Sequence, residues 1–287
     1  MLRHVKHGDC LEHKKNILAQ KYLWNEKMKI YVINLERSVD RKKSITEMAR
    51  VLRLDLTFVN AVDGRNVLDL TKLGYSRRNN RRHYGRLLSA GEVGCYASHL
   101  KVAEKFVSSG EDMCVVLEDD ACIADEFSEF FKKISQSPNS LPHDVLLINI
   151  GKSSASANRF EVLENESIVP ASLCGTYQFP TTTRGLVWTR KGATEFLDKG
   201  RVISMPVDQY LKDWLTRTLG GYCLEKPVVL GINAPTEVGT GTGRRELSLS
   251  EAIKYDIVRG KRDYLNNFAK FKRKLMGNVN TIMGNKN

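Results

Sequence analysis

Four short runs of apolar, largely β-branched residues punctuate the first 150 positions with helix-periodic sequence between them, and this alternation constrains the fold more than any other feature. The runs are KIYVINL (29–35), LTFVNAVDG (56–64), MCVVL (113–117) and DVLLINIG (144–151). Strands that are apolar on both faces must be covered on both faces, and strands separated by helices pair in parallel. The pattern therefore predicts an α/β domain on a mainly parallel central sheet. Helical spacing over 43–52, 92–108 and 126–134 fills the intervals; beyond 150, helices are expected at 191–197 and 207–218 and a strand at 226–232. In such sheets ligands bind beyond the carboxyl ends of the strands, which places Asn34 to Arg41, Asp63 and Glu118 to Asp120 at one rim.

Other features narrow the class. The apolar stretch 145–150 is far too short for a bilayer, which needs roughly 20 residues. Residues 1–27 lack the apolar core of a secretory signal and read as an N-terminal extension, with Met28 an alternative start and a cytoplasmic location expected. Cysteines at 10, 95, 114, 122, 174 and 223 form no CxxC pair and are expected to be reduced, mostly buried thiols. The formal charge of +12 indicates an anionic partner: nucleic acid, an acidic membrane surface or a phosphorylated substrate.

The strongest chemical feature is VVLEDDA, in which a buried strand delivers three carboxylates into a loop; unpaired, no core would accept them. One reading is a divalent-metal site, with Glu118 and Asp120 offering hard oxygens to manganese or magnesium; the other is a solvated acidic turn. Asn34, Arg37 and Arg41, just past the first strand, suit a base and phosphates, although a helix N-cap at Ser38 or Asp40 explains the same residues. Ser89 with Glu92 makes a capping box, Gly91 and Gly94 permit close backbone approach, and His99 reads as a structural helix histidine. Arginines 77, 78, 81, 82 and 86 read as a mobile loop that closes over phosphate. Only Tyr75 and Tyr84 lie nearby, a thin stacking platform for nucleic acid. GTGTGRR (239–245) has neither Rossmann nor Walker spacing and reads as a flexible loop.

Taken in order, INLERSVDR, the NAVDG ending, LSAGEVGCYASH and VLEDDA resemble glycosyltransferase family 25, the lipooligosaccharide galactosyltransferase-like enzymes; LCGTYQFPTTTRGLVWTRKGATEFL and MPVDQYL continue the likeness more loosely to about residue 232. The resemblance implies a GT-A-type nucleotide-sugar fold over 28–250, a UDP-sugar donor and an inverted, β-linked product. In that picture Asn34, Arg37, Arg41, Asp63, Glu118, Asp119 and Asp120 hold the donor, and Glu118 and Asp120 hold the metal in place of a DxD motif. No late histidine is present to complete a metal site, since the last is His143, and Asp208 is the substitute considered. Inversion needs a base on the acceptor side: Asp208 is the first candidate and Glu92 the second. Galactose is the expected hexose with glucose the alternative, and a bacterial lipooligosaccharide glycan is the expected acceptor. A basic nucleic-acid-binding protein is the competing class.

Residues 251–287 lie outside the resemblance. From Ala252 onward they carry nine basic residues against Asp256 and Asp263, hence +7 of the +12. Leu265, Phe268, Phe271, Leu275 and Met276 share a helical face, so a basic amphipathic helix lying on anionic lipid at the inner face of the cytoplasmic membrane is expected, with a disordered solvated tail as the alternative.

Overall fold

The computed structural model describes residues 28–136, 141–161, 173–231 and 247–284. The extension before Met28 and the glycine-rich 239–245 segment lie outside these residues. In chain order the elements are β1 (Lys29–Asn34), α1 (Val39–Leu52), β2 (Leu56–Asn60), α2 (Arg77–His83), α3 (Ala90–Ser108), β3 (Met113–Glu118), β4 (Ala121–Ile123), α4 (Phe127–Gln136), β5 (Leu147–Asn149), β6 (Arg159–Glu161), β7 (Leu173–Thr176), β8 (Gly185–Thr189), α5 (Arg190–Lys199), α6 (Val207–Thr218), β9 (Gly221–Leu224), β10 (Val229–Gly231) and α7 (Leu249–Gly284).

Eight strands form one sheet in the order β2-β1-β3-β8-β5-β9-β7-β6, and β10 pairs with β4 in a second, small sheet. β1 runs parallel to β2 and β3, and β5 parallel to β9, while β8 and β7 run antiparallel to their neighbours. Six strands thus share one direction and two oppose it. The expectation of a mainly parallel sheet holds for direction, but the sheet is mixed, because apolar periodicity carries no information on which way a strand runs.

Alternation along the strands sorts side chains onto two cores. Tyr31, Ile33, Cys114, Val116 and Trp188 face α3, α5 and α6, whereas Ile30, Val32, Val115, Leu117 and Val187 face α1 and α4. On the first face Trp188 stacks on Phe196 at 5.2 Å between ring centres, and Trp214 lies 6.4 Å from Trp188. Aromatic burial of this size dominates core energetics.

Two local features set the rim. Ser89 and Glu92 form the capping box expected of them and start α3 at Ala90. Gly64 and Gly94 let the turn after β2 touch that helix: a Cβ on Gly94 would sit 2.4 Å from the Val62 carbonyl oxygen, and one on Gly64 1.8 Å from that of Ala90.

The arginine-rich segment differs from expectation. It is helix α2, capped by the Ser76 hydroxyl and anchored by the buried Asn80, whose amide donates to the Ser204 carbonyl at 2.9 Å. Arginine is a good helix former, and one buried amide orients the turn while Arg77, Arg78, Arg81 and Arg82 stay exposed. Cysteines 95, 114, 174 and 223 are free as expected, but Cys122 is disulfide-bonded, because cysteine spacing alone does not reveal which thiols the fold oxidises.

Candidate functional site

β1 and β3 lie side by side with Ile33 opposite Glu118, so their ends open on a common cleft of about 250 Å³. Arg37, Arg41, Asp63, Glu118, Asp119 and Asp120 all line it. The three carboxylates of the triplet are treated differently. Asp119 is buried, and both its oxygens are committed: Oδ2 accepts from the Asn34 amide at 2.9 Å, and Oδ1 from Arg41 at 3.0 Å. Asn34, whose amide also donates to the Ser38 carbonyl, thus braces the loop. Arg37 pairs with Asp63, which also caps the 3-10 turn Gly64–Asn66.

Glu118 accepts on a single oxygen, Oε1, from the Thr183 hydroxyl at 2.6 Å and faces His99 Nε2 there at 3.2 Å. Burial pushes this carboxyl up, but the hydrogen bond and charge of His99, the Thr183 hydroxyl and the nearby Arg184 outweigh it, so the group is held below the ordinary glutamate range. Asp120 is displaced the other way. Burial raises it first and the Glu118 charge second, with Arg184, which donates to its two oxygens at 3.3 Å, only partly offsetting them.

Cys95 lies one helical turn before His99 on α3, and the ligating atoms of Cys95, His99 and Glu118 fall within 4.8 Å of one another. His99 Nδ1 is buried without a hydrogen-bond partner among the described residues. Burial raises the Cys95 thiol well above its usual value, helped by the charges of Glu118, Asp208, Asp120 and Glu92. Four carboxylates therefore act through their charge on one point of α3. The hard oxygens of Glu118 and Asp120 fit a divalent cation such as manganese or magnesium, while Cys95 and His99 add softer ligands of the type zinc takes.

Asp208, in the first turn of α6, does not line the cleft but lies within electrostatic range of Glu118 and Glu92. Burial raises its carboxyl, the Gln209 amide, which donates to it at 3.2 Å, offsets part of that, and the charges of Glu118 and Glu92 raise it further. Glu92 has both oxygens engaged: Arg86 donates to them at 2.5 and 2.9 Å, and the Ser89 backbone N–H donates to Oε2 at 2.8 Å.

The expected donor residues thus gather at one rim. His99, Thr183 and Arg184 join them there, and none of the three is among the site residues expected from sequence. A Cys95–His99 spacing of four on a helix is the available signal for the first. Thr183 and Arg184 precede β8, and only the reversal of that strand brings its start beside the end of β3, where Leu117 lies opposite Gly185.

Fold and cleft together define an α/β protein whose strand ends present carboxylates and guanidinium groups to a common ligand space. Residues 27–211 match the family model described as glycosyltransferase family 25 (LPS biosynthesis protein), and the chain belongs to that family. Human procollagen galactosyltransferase 2 is 29% identical over 189 residues, which cover 63% of this chain and 29% of that one. A bovine protein named probable inactive glycosyltransferase 25 family member 3 is also 29% identical over 189 residues, covering 63% of this chain and 31% of its own. The chain therefore spans just under a third of the length of these relatives. A solved glycosyltransferase involved in the glycosylation of the major capsid of PBCV-1 aligns over 81% of this chain and 98% of its own, with 8% identity and a TM-score of 0.37. The relatives include one named as a galactosyltransferase and one named as inactive, so the functional reading rests on this chain's own residues.

Proposed function

We propose that this chain is an inverting, GT-A-type glycosyltransferase that moves a hexose, galactose in the first instance, from a UDP-sugar to a lipooligosaccharide-type glycan with β linkage. One observation carries the reading: the ends of β1 and β3 open on a common cleft lined by Arg37, Arg41, Glu118, Asp119, Asp120 and Arg184, and the carboxyls of Glu118 and nearby Asp208 are displaced in opposite directions, one lowered and one raised. Pairs of carboxyl groups separated in this way divide acid, base and charge-stabilising roles between them. Asp208 is the base, taking the proton of the acceptor hydroxyl, and a raised carboxyl suits that task better than an ordinary one. Glu92, with both oxygens engaged, is assigned to positioning Arg86 and the start of α3.

Asn34 and Arg41 hold Asp119 and with it the loop, so that Glu118 and Asp120 stay at fixed positions against the donor. Arg37 and Arg184 line the cleft as cationic neighbours for the diphosphate. Glu118 and Asp120 would hold a divalent cation, manganese or magnesium, which when bound supplies charge neutralisation for the leaving diphosphate. A panel of UDP-galactose, UDP-glucose and other UDP-sugars with manganese tests the reading: acceptor-dependent UDP release from one of them supports it, and absence of both binding and release across the panel rejects it.

The outward face of α7 is assigned to an anionic membrane surface on the cytoplasmic side. Ile253, Ile257, Tyr264, Leu265, Phe268 and Phe271 are exposed along the helix, and Leu275 and Met276 lie beyond the side chains described. Basic residues in the same helix complement acidic lipid. No helix among the described residues is long and apolar enough to cross a membrane. Co-flotation with phosphatidylglycerol vesicles that is lost in the Phe268→Glu, Phe271→Glu double variant supports the assignment, and unchanged flotation removes it.

A further inference from the structure

Near Asp208, whose charge acts on Tyr84 in its wall, lies a second cleft, larger and more polar than the first, of about 520 Å³. Its walls come from α6, α7 and the segments before α3 and β8, and among its lining residues are Tyr84, Gln209, Lys212, Arg259 and Arg262. Gln209 lines this cleft and donates to Asp208, whose charge is also felt at Cys95 in the wall of the first cleft.

The first half of α7 is docked by a buried polar cluster. Asn266 donates to Asp213 Oδ1 at 2.6 Å, and the other oxygen of Asp213 lies 3.5 Å from Arg262 and 3.8 Å from Arg217. One carboxylate is therefore shared between two guanidinium groups. Arg262 is 8% exposed and packs over the Tyr84 ring at 5.0 Å, yet its Nη1 has no hydrogen-bond partner among the described residues. A buried guanidinium that lacks a full complement of acceptors is costly, and an anion arriving in the cleft would complete it. Lys212 and Arg259 add positive charge to the same walls, against the single lining carboxylate Asp263, which pairs with Arg259 at 3.7 Å.

We propose that this cleft binds the acceptor, and that the acceptor is an acidic saccharide whose carboxylate or phosphate accepts from Arg262 Nη1. The assignment to the acceptor rests on the reading of Asp208 as the base; the ligand class rests on the cleft alone. Family membership does not supply it, because α7 lies beyond the matched residues 27–211. An anionic group on Arg262 and Arg259 leaves the sugar ring toward Gln209 and hence toward Asp208, where a hydroxyl would be activated.

The test uses the full chain and three probes observed by ligand NMR and calorimetry: methyl β-glucuronide, glucose 6-phosphate and neutral methyl β-glucoside. At least one anionic probe is expected to bind about 10-fold or more tightly than the glucoside, the scale of one charge-assisted hydrogen bond. The two anionic probes separate carboxylate from phosphate. Arg262→Gln should abolish the preference, and Arg259→Gln, which changes an exposed side chain and keeps the docking cluster, should weaken it several-fold without altering UDP-galactose binding. Equal binding of all three probes, or a preference unchanged in Arg259→Gln and in folded Arg262→Gln, overturns the proposal. If UDP-galactose binds while neither anionic sugar does, the cleft assignment falls and the transferase reading stands. If the anionic sugars bind through Arg262 and no UDP-sugar binds, the ligand class stands and the transferase reading falls.

Discussion

The strand-end rim and the α6–α7 flank both bury charge, but they balance it differently. At the rim each carboxylate of the triplet has its own partner: Asn34 and Arg41 for Asp119, His99 and Thr183 for Glu118, Arg184 for Asp120. On the flank two guanidinium groups share Asp213, and one of them keeps a buried N–H without an acceptor among the described residues. The rim is also tight, with backbones in contact at Gly64 and Gly94, whereas a methyl group added at Gly260 in α7 would meet nothing within 4 Å. A region that holds reacting groups at fixed separations is packed closely, and one that admits a bulky ligand leaves room and unanswered charge.

Three substitutions sharpen this contrast. The largest effect is expected from Asp208→Asn, which removes a charge felt in both regions, at Cys95 and at Tyr84: turnover falls by roughly 10²–10⁴-fold with little change in UDP-galactose affinity, as for loss of a general base. Its stability moves the other way. The carboxyl is raised in the fold, so whatever stability protonated Asp208 contributes is present below its unfolded pKa and lost as pH rises through the folded value. At neutral pH the ionised group is therefore a net cost, and the variant should melt at or above the parent's temperature. The acid limb of the parent's pH–rate profile should lie above the ordinary aspartate range. A fall in melting temperature with unchanged turnover would recast Asp208 as a structural group.

Next in size is Gly94→Ala at the rim. The added methyl meets the Val62 carbonyl at 2.4 Å, and overpacking of this kind costs about 1–3 kcal/mol in denaturant unfolding. Smallest, and opposite in sign, is Gly260→Ala on the flank: an exposed helix interior with open space should gain about 0.5–1 kcal/mol. Equal effects at the two glycines would erase the distinction between a tight rim and an open flank.

The two regions also differ in how far they can be read from the chain. The rim is made where apolar runs stop, so Asn34, Asp63 and Glu118 to Asp120 can be placed together from local pattern alone. The capping box at Ser89 and Glu92 and the start of α6 at Val207 are equally local. His99 is harder to single out, because a buried helix histidine is usually structural and only its spacing from Cys95 hints otherwise. Thr183 and Arg184 reach the rim only because β8 is reversed, and strand direction has no signature in hydrophobicity. The flank depends on Tyr84, Asp213 and Arg262 meeting from distant parts of the chain, which no periodicity records. The arginines of α2 read as a loop when polarity is weighed above helix propensity; the buried Asn80 that anchors the helix looks like any other polar residue in sequence.

The most direct test of the central claim follows manganese-dependent UDP release from UDP-galactose in the presence of a glycan acceptor, for the parent chain and for Glu118→Ala and Asp120→Ala. The account predicts release by the parent and a loss of about 10²-fold or more in both variants, with folding retained in Asp120→Ala, whose partner Arg184 is part-exposed. Release at the parent's rate by both folded variants, unaffected by a chelator, would contradict it.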